Sequence, residues 1–396
     1  MIVQPSSRLH RLGSAIFAEV AEWKREAASA GHRVIDLGIG SPDRPPDESV
    51  RLALAAAAAR TDSYGYPSSE GSIAFRQAAG EWMHWRFGVD IDPADEITVL
   101  MGSQDGLGHL ALAVTEPGDL AIVPDPGYPI YGAGLAVAGV EAYPAPLSAE
   151  NGYLFALDSI PAEVARRAKF IVVNYPSNPL SAVADRDFYL GLVEFAKRYQ
   201  VLIVHDAAYS ELAFDGFRPM SILEIPGAKE VAVEFHSLSK SFNMAGCRIG
   251  FAVGHRAAVL ALRQLKANLD YGVFTAVQEA GIAALQRDMS NQGGKAVSVY
   301  EHRRDVFVDA LHRIGWPVPK PRATMFIWAP SPKGWTSRQI SQEICRRAGV
   351  VVVPGNAFGA QGEGYVRIAL VQEEHILLEA AERLGMFFRE SGISFG

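Results

Sequence analysis

Residues 170–209 read "FIVVNYPSNPLSAVADRDFYLGLVEFAKRYQVLIVHDAAY". Two apolar runs, "FIVV" and "VLIV", flank a helical stretch from Arg186 to Tyr199. An apolar run without polar alternation suits a strand buried on both faces, and a strand–helix–strand unit makes its two strands parallel neighbours. The same alternation extends from about residue 48 to about residue 290. Further strand candidates are "EITVLMG", "DLAIVPD", "VAVEFHS" and "RIGFAVG", most of them separated by helical stretches. The pattern predicts an α/β fold with a parallel sheet covered by helices on both faces.

Beyond residue 290 the texture changes. A long polar helix through "VSVYEHRRDVFVDALHRIG" precedes "TMFIWAP", a helix near 337–348, "GVVVVPG", "GYVRIAL" and a terminal helix, which together read as a smaller α/β domain. At the other end, Leu12, Ile16, Val20 and Trp23 at helical spacing predict one helix over 8–30, followed by a short strand and a Pro/Gly loop in "RVIDLGIGSPDRPPDE". The expected division is an N-terminal arm and part of the small domain at 1–47, a large domain at 48–290 and a small C-terminal domain at 291–396.

The chain of 396 residues is 49% hydrophobic and 20% charged, an ordinary globular composition. Its net charge of −7 argues against nucleic acid as the main partner. Cys247 and Cys345 give neither a disulfide framework nor a metal-ligand spacing. The N-terminus has no continuous apolar leader, and "RLALAAAAAR" is too short to span a bilayer and reads as a helix. A cytoplasmic protein with no membrane contact and no metal is expected. No His-Glu-x-x-His, Gly-x-Ser-x-Gly or Gly-x-Gly-x-x-Gly run appears.

In parallel α/β sheets, ligands bind beyond the carboxyl ends of the strands. Four of the strand candidates end in chemically interesting residues: Ser103 and Gln104, Asn174 with Asn178, His205-Asp206 with Tyr209, and Ser237 with Lys240. Taken alone, Lys240 reads as a surface lysine. The competing reading is an amine that forms a Schiff base with a carbonyl cofactor, kept partly neutral by burial and by Arg248. Asp206 alone reads as a cap, a turn former or a metal ligand. Beside such a lysine, a carboxylate can instead keep the ring nitrogen of pyridoxal phosphate protonated, so that the ring withdraws electrons. Tyr209 could reach the cofactor's phenolic oxygen or pack in the core. "MGSQDGLGHLALAV" opens a helix with small residues, either as a plain capped helix or as a phosphate cradle to which Ser237 and Arg248 add.

The set "GIGSPD", "GYPSSEG", "MGSQDGL", "PDPGYPIY", "NYPSNP", "HDAAYSEL", "HSLSKSFNMAGCRIG" and "GYVRIAL" resembles the class I/II aminotransferases of fold type I, which use pyridoxal phosphate, and covers almost the whole chain. The wording is most similar to that of the LL-diaminopimelate aminotransferases. The resemblance implies a large domain with a mostly parallel seven-stranded sheet in an α/β/α sandwich, plus a smaller α/β domain. It implies that Lys240 is the cofactor-bonded lysine and carries the α-proton, and that Asp206 pairs with the pyridine nitrogen. Tyr209 and Asn178 would contact the ring oxygen, and Tyr128 would stack on the ring. Ser103, Gln104, Ser237 and Arg248 would hold the phosphate, joined by Tyr66 from the second subunit of a homodimer. Arg367 would clamp the substrate α-carboxylate, with Gly40 and Asn178 beside it. The implied reaction is a two-half transamination between an L-amino acid and a 2-oxo acid such as 2-oxoglutarate, with LL-diaminopimelate as a possible donor.

Three departures from the family's wording fall near the implied pocket: Leu180-Ser181 in place of Thr-Gly, Cys247 in place of Trp, and Tyr271 in place of a small residue. They leave the reaction class intact and put the substrate in question. Ile16, Phe17, Tyr131 and Tyr271 are candidates for the side-chain pocket, with core packing as the alternative for each. Aminotransferases for aspartate, alanine, aromatic or methionine-type donors share the cofactor residues. So do β-lyases, decarboxylases and cyclopropane-forming synthases of this fold. A ligand-sensing domain fused to a DNA-binding unit would need a helix-turn-helix, for which the first 30 residues leave no room.

Overall fold

The computed structural model of the chain describes residues 3–12, 15–290 and 295–395. Twelve strands are assigned among them. They are β1 (Ile35–Asp36), β2 (Ile97–Leu100), β3 (Leu120–Asp125), β4 (Glu141–Pro146), β5 (Ala168–Asn174), β6 (Leu202–Asp206), β7 (Ala232–Ser237), β8 (Gly250–Gly254), β9 (Phe326–Pro330), β10 (Val350–Val351), β11 (Val353–Pro354) and β12 (Tyr365–Ala369).

Seven strands form the central sheet in the order β2-β8-β7-β6-β5-β3-β4. Neighbours from β7 to β4 are parallel, and β8 runs antiparallel to both β2 and β7. β3 and β7 are buried at every position. Alternate residues feed two separate cores. Ile122, Ile171, Val173 and Ile203 pack with Tyr189 and Leu192 of the helix Arg186–Tyr199. Ala121, Val123, Val172, Val204 and Val233 pack on the opposite face with Leu107, Leu135 and Leu262. The result is an α/β/α sandwich. The Arg186–Tyr199 helix starts where the Asp185 carboxylate accepts from Phe188 N and ends at Gln200, whose φ is +56°.

β4 is absent from the apolar runs of the sequence. It is one of the two edge strands, mostly exposed, and it carries Pro144 and Pro146, which an edge tolerates because no further strand needs their N–H groups. The helix expected over 8–30 is divided. A 3₁₀ turn spans Ser7–Arg11, Leu12 is already extended, and an α-helix spans Ala15–Ser29; residues 13–14 of the expected helix lie outside the described residues. The boundary expected after residue 290 likewise falls beside 291–294, outside the described residues.

"GVVVVPG" makes two short strands, because the chain changes partners at Val352. Ile35 pairs with Val350 in a parallel two-stranded sheet, and Val353 pairs with Arg367 in the antiparallel sheet β11-β12-β9. The N-terminal segment therefore joins the C-terminal part of the chain, and Val20, Trp23 and Ala27 add to this by packing on Cys345 and Val351. A third core gathers Phe307 and Leu311 of the helix Lys295–Arg313, Leu377 and Leu384 of the helix Glu374–Glu390, and Ile327 and Ile368.

Candidate active site

Because side chains alternate along a strand, Asn174 at the end of β5 shares the face of Val172, and Asp206 at the end of β6 shares the face of Val204. Both lie on the side of the helix Ser103–Val114. They are direct neighbours in register. His205 points the other way. Its Nδ1 meets Glu234 Oε2 at 2.7 Å in a fully buried cluster where Glu234 also meets His236 Nε2 (2.6 Å) and accepts from Ser221 Oγ (2.8 Å). Burial drives the Glu234 carboxyl upward, and His236 and His205 more than reverse this, so it sits below the ordinary range.

A cavity of about 550 Å³ opens over these strand ends. Of the residues singled out in the sequence, Gly40, Ser103, Gln104, Tyr128, Asn178, Asp206, Tyr209, Ser237, Lys240, Arg248 and Arg367 all line it. Ser237 ends β7, accepts from Ser239 N at 3.2 Å and starts the one-turn helix Leu238–Ser241 that projects Lys240. Lys240 Nζ donates to Gly40 O at 2.6 Å. Burial, then the neighbouring Arg367 and Arg248 charges, lower its pKa to about 8.

Asp206 is buried. Its carboxylate accepts from Tyr131 OH at 2.8 Å and from Ala208 N at 3.2 Å. Burial raises its pKa, although those two bonds and the nearby histidines pull the other way. Both hydrogen-bond donors are neutral, so a cation placed against this carboxylate would relieve the cost of burying it.

At the opposite wall the Arg367 guanidinium lies over the rings of Phe326 (4.4 Å) and Phe358 (4.8 Å). Its Nη1 donates to Asn178 Oδ1 at 2.9 Å and its Nη2 to Gly38 O at 2.6 Å, while its Nε has no partner among the described residues. Burial lowers its pKa to about 10. A buried cation held only by uncharged oxygens suits a carboxylate ligand.

Between these walls lies an anion cradle. Gly102 has φ +78°, and a Cβ there would sit 2.5 Å from the Arg248 guanidinium. The glycine thus lets Arg248 close on the start of the twelve-residue helix Ser103–Val114, where free N–H groups and the helix dipole favour a phosphate. Gln104 Oε1 accepts from Tyr128 OH at 3.0 Å, which fixes the Tyr128 ring across the cavity. A phosphate at Ser103, Gln104, Ser237 and Arg248, a ring cation at Asp206 and a carbonyl at Lys240 fit the residues present.

Tyr66 does not line this cavity. It is 91% exposed and packs against Tyr271, with ring centroids 5.5 Å apart. The four side-chain-pocket candidates also part company. Phe17 lines the cavity. Tyr131 is buried behind it, where its hydroxyl serves as the donor to Asp206. Tyr271 is outside with Tyr66, and Ile16 packs in the N-terminal cluster with Val20 and Trp23. Cys247 is free and partly buried against the large core. Sequence reasoning missed Gly38, Phe326 and Phe358 as supports of Arg367. Phe326 lies two residues along β9 from Trp328, the cross-strand partner of Arg367, and that pairing is invisible in a linear reading. Asp105, His109 and Asp270 cluster outside the site, but the buried Lys266 ammonium already pairs with both carboxylates.

Residues 32–384 match the family described as aminotransferase class I and II. The chain belongs to this family. It is 46% identical to the LL-diaminopimelate aminotransferase of Moorella thermoacetica over 382 residues, 96% of this chain and 98% of the relative. It is 47% identical to the enzyme of that name from Syntrophobacter fumaroxidans, covering 96% of this chain and 97% of the relative. Among solved structures, substrate-bound BacF from Bacillus subtilis superposes with a TM-score of 0.93 at 35% identity, covering 100% of this chain and 99% of the other. A probable N-succinyldiaminopimelate aminotransferase from Thermus thermophilus gives 0.89 at 38% identity, covering 94% and 100%. The protein is a pyridoxal-phosphate-dependent aminotransferase that passes an amino group between an amino acid and a 2-oxo acid. Among the described residues, no helix is long and apolar enough to cross a membrane.

Proposed function

We propose that this aminotransferase takes LL-diaminopimelate as donor and 2-oxoglutarate as acceptor, and that Lys240 is the residue at which its chemistry occurs. The observation that carries the second part is the single cavity holding a cation-poor carboxylate, a partly neutral amine and a carboxylate-seeking arginine. The donor assignment rests on the names of the relatives that share almost half of the residues over nearly the full chain.

When bound, pyridoxal phosphate supplies a carbonyl that condenses with amines and a pyridinium ring that draws electrons from the substrate's α-carbon. Ser103, Gln104, Ser237 and Arg248 would hold its phosphate, and Tyr128 would pack on its ring. Asp206 would keep the ring nitrogen protonated, and Asn178 and Tyr209 would serve the phenolic oxygen. Arg367 binds the α-carboxylate as a bidentate pair, with Gly40 leaving room beside it. Lys240 Nζ would then take the proton from the substrate's α-carbon and hold it for delivery to the carbon that was the cofactor's carbonyl. A pKa of about 8 keeps a useful fraction of this amine neutral near pH 7.

The division into an arm at 1–47, a large domain at 48–290 and a small domain at 291–396 belongs to the same reading. So do a cytoplasmic location and a homodimer in which the exposed Tyr66 reaches the neighbour's phosphate. A second donor class has its own support. The cavity is also lined by Leu12, Phe17, Ile39, Ile130 and Ala133, and among the described residues its charged lining is Asp206, Lys240, Arg248 and Arg367. None of these charges is left for the second amino-carboxylate of LL-diaminopimelate, so this wall alone favours a methionine-type or aromatic donor. Steady-state kcat/KM with 2-oxoglutarate for LL-diaminopimelate, methionine, phenylalanine and aspartate decides the matter. A preference for LL-diaminopimelate is expected, and a preference for methionine or phenylalanine overturns that assignment.

A further inference from the structure

Two residues beside the cavity hold backbone conformations that side chains other than glycine seldom adopt. Ser181 has φ +56° and Thr324 has φ +73°. A β-branched residue in that region is a true outlier, and such strain persists only where surrounding contacts hold it. Here the contacts close a ring. Ser181 Oγ donates to Phe326 O at 2.8 Å, which uses its one proton. The 2.6 Å contact between Ser181 Oγ and Thr324 Oγ1 must then be donated by Thr324. Thr324 Oγ1 in turn accepts from Phe326 N at 3.2 Å. Each hydroxyl gives once and accepts once, and together they take up both backbone polar groups of Phe326. β9 is an outer strand of its sheet, so these groups would otherwise lack a ladder partner.

The ring joins two segments that meet only in space. Ser181 belongs to the loop after β5 that carries Asn178, tied by Ser181 N to Ser177 O (2.9 Å) and by Ala182 N to Ser177 Oγ (2.9 Å). Thr324 leads into β9 and is itself anchored by its N–H to Leu212 O at 2.7 Å. Asn178 accepts from Arg367 Nη1, and the Phe326 ring lies against the same guanidinium. Phe326 also meets Tyr209 edge-on, with centroids 5.8 Å apart, and fills the space a Cβ at Gly40 would need. Two supports of Arg367 thus come from different parts of the chain, and one pair of hydroxyls sets their spacing.

We propose that Ser181 and Thr324 are positioning residues that aim Arg367 at the substrate carboxylate by locking Asn178 and Phe326 together. The proposal rests on Arg367 being the carboxylate clamp. It is tested on the holoenzyme with Ser181→Ala, Ser181→Gly, Thr324→Val, Thr324→Ser and the double variant Ser181→Ala/Thr324→Val, with Arg367→Ala alongside. Donor KM, kcat, the cofactor dissociation constant and Tm are measured for each.

Losing the ring should raise donor KM by about tenfold, the worth of one or two hydrogen bonds, with a smaller loss of cofactor binding, because Asn178 is only one contact of a cofactor held mainly through its phosphate and Asp206. Ser181→Gly relieves the backbone strain while deleting the hydroxyl, so it should show the KM rise with no fall in Tm. Thr324→Ser keeps the hydroxyl and should restore the parent KM. Either single change opens the same ring, so the double variant should be no worse than the worse single one. Additive KM effects, an unchanged KM in Ser181→Gly, or a loss of cofactor binding larger than the rise in donor KM overturns the proposal. An unchanged KM in Arg367→Ala would instead overturn the clamp reading on which it depends.

Discussion

The two walls of the cavity have different foundations. Lys240 and Asp206 stand at the ends of β7 and β6, parallel strands deep in the central sheet, and each is placed by the strand directly before it. Arg367 stands on β12 in a three-stranded antiparallel sheet, and its surroundings come from Gly38, Asn178, Phe326 and Phe358, residues far apart in the chain. The first wall is a local consequence of strand order. The second exists only after distant segments have come together. Buried charge also differs between them: a carboxylate with neutral donors on one side, an arginine with neutral acceptors on the other. Each is costly to bury alone and gains from an opposite charge brought by a ligand. A cofactor that stays and a substrate that comes and goes fit this contrast.

If the walls divide the work in this way, changes to each should move different kinetic constants. Asp206→Ala should give the larger effect, a fall in kcat of about a hundredfold or more, comparable to losing a preorganised electrostatic group, while the protein still binds the cofactor. Unchanged kcat would remove the distinction between the walls. Arg367→Lys keeps the charge but loses the planar fork, and donor KM should rise by about tenfold with kcat held, measured by initial rates against donor concentration. A fall in kcat without a change in KM would place Arg367 on the wrong side of the comparison.

The smallest effect concerns stability. The folded-state pKa of Lys240 is lowered from 10.5 to about 8, so protonating it disfavours the folded state. The cost is full below pH 8 and fades as pH rises towards 10.5, where the unfolded chain also loses the proton. Cofactor-free Lys240→Met should therefore melt a few degrees above the parent at pH 7, and the gap should narrow between pH 8 and 10.5. A gap that stays constant with pH would mean that packing rather than charge sets it.

The contrast between the walls also explains what could be read from the sequence. Lys240, Asp206, Ser103 and Asn178 follow apolar strand runs, so their places along the chain already predict that they converge at one end of a parallel sheet. The edge strand β4 escaped because exposure and its two prolines removed the apolar signal. Phe326 and Gly38 escaped because cross-strand pairing and packing between distant segments leave no trace in spacing. Ser181 stood out only as an unusual residue in a familiar phrase, and its hydroxyl acquires a partner once Thr324 is seen beside it. Tyr66 shows the opposite case. The sequence marks it, yet within one protomer it faces outward with Tyr271.

The most direct measurement treats the holoenzyme with borohydride, which fixes a lysine-bound pyridoxyl group, and locates it by peptide mass spectrometry. The pyridoxyl mass should appear on the peptide containing Lys240 and nowhere else, and a Lys240→Ala protein should carry none and lose transamination by a factor of about a thousand or more. Label on another lysine, or turnover that survives Lys240→Ala, would contradict the assignment of the chemistry to this residue.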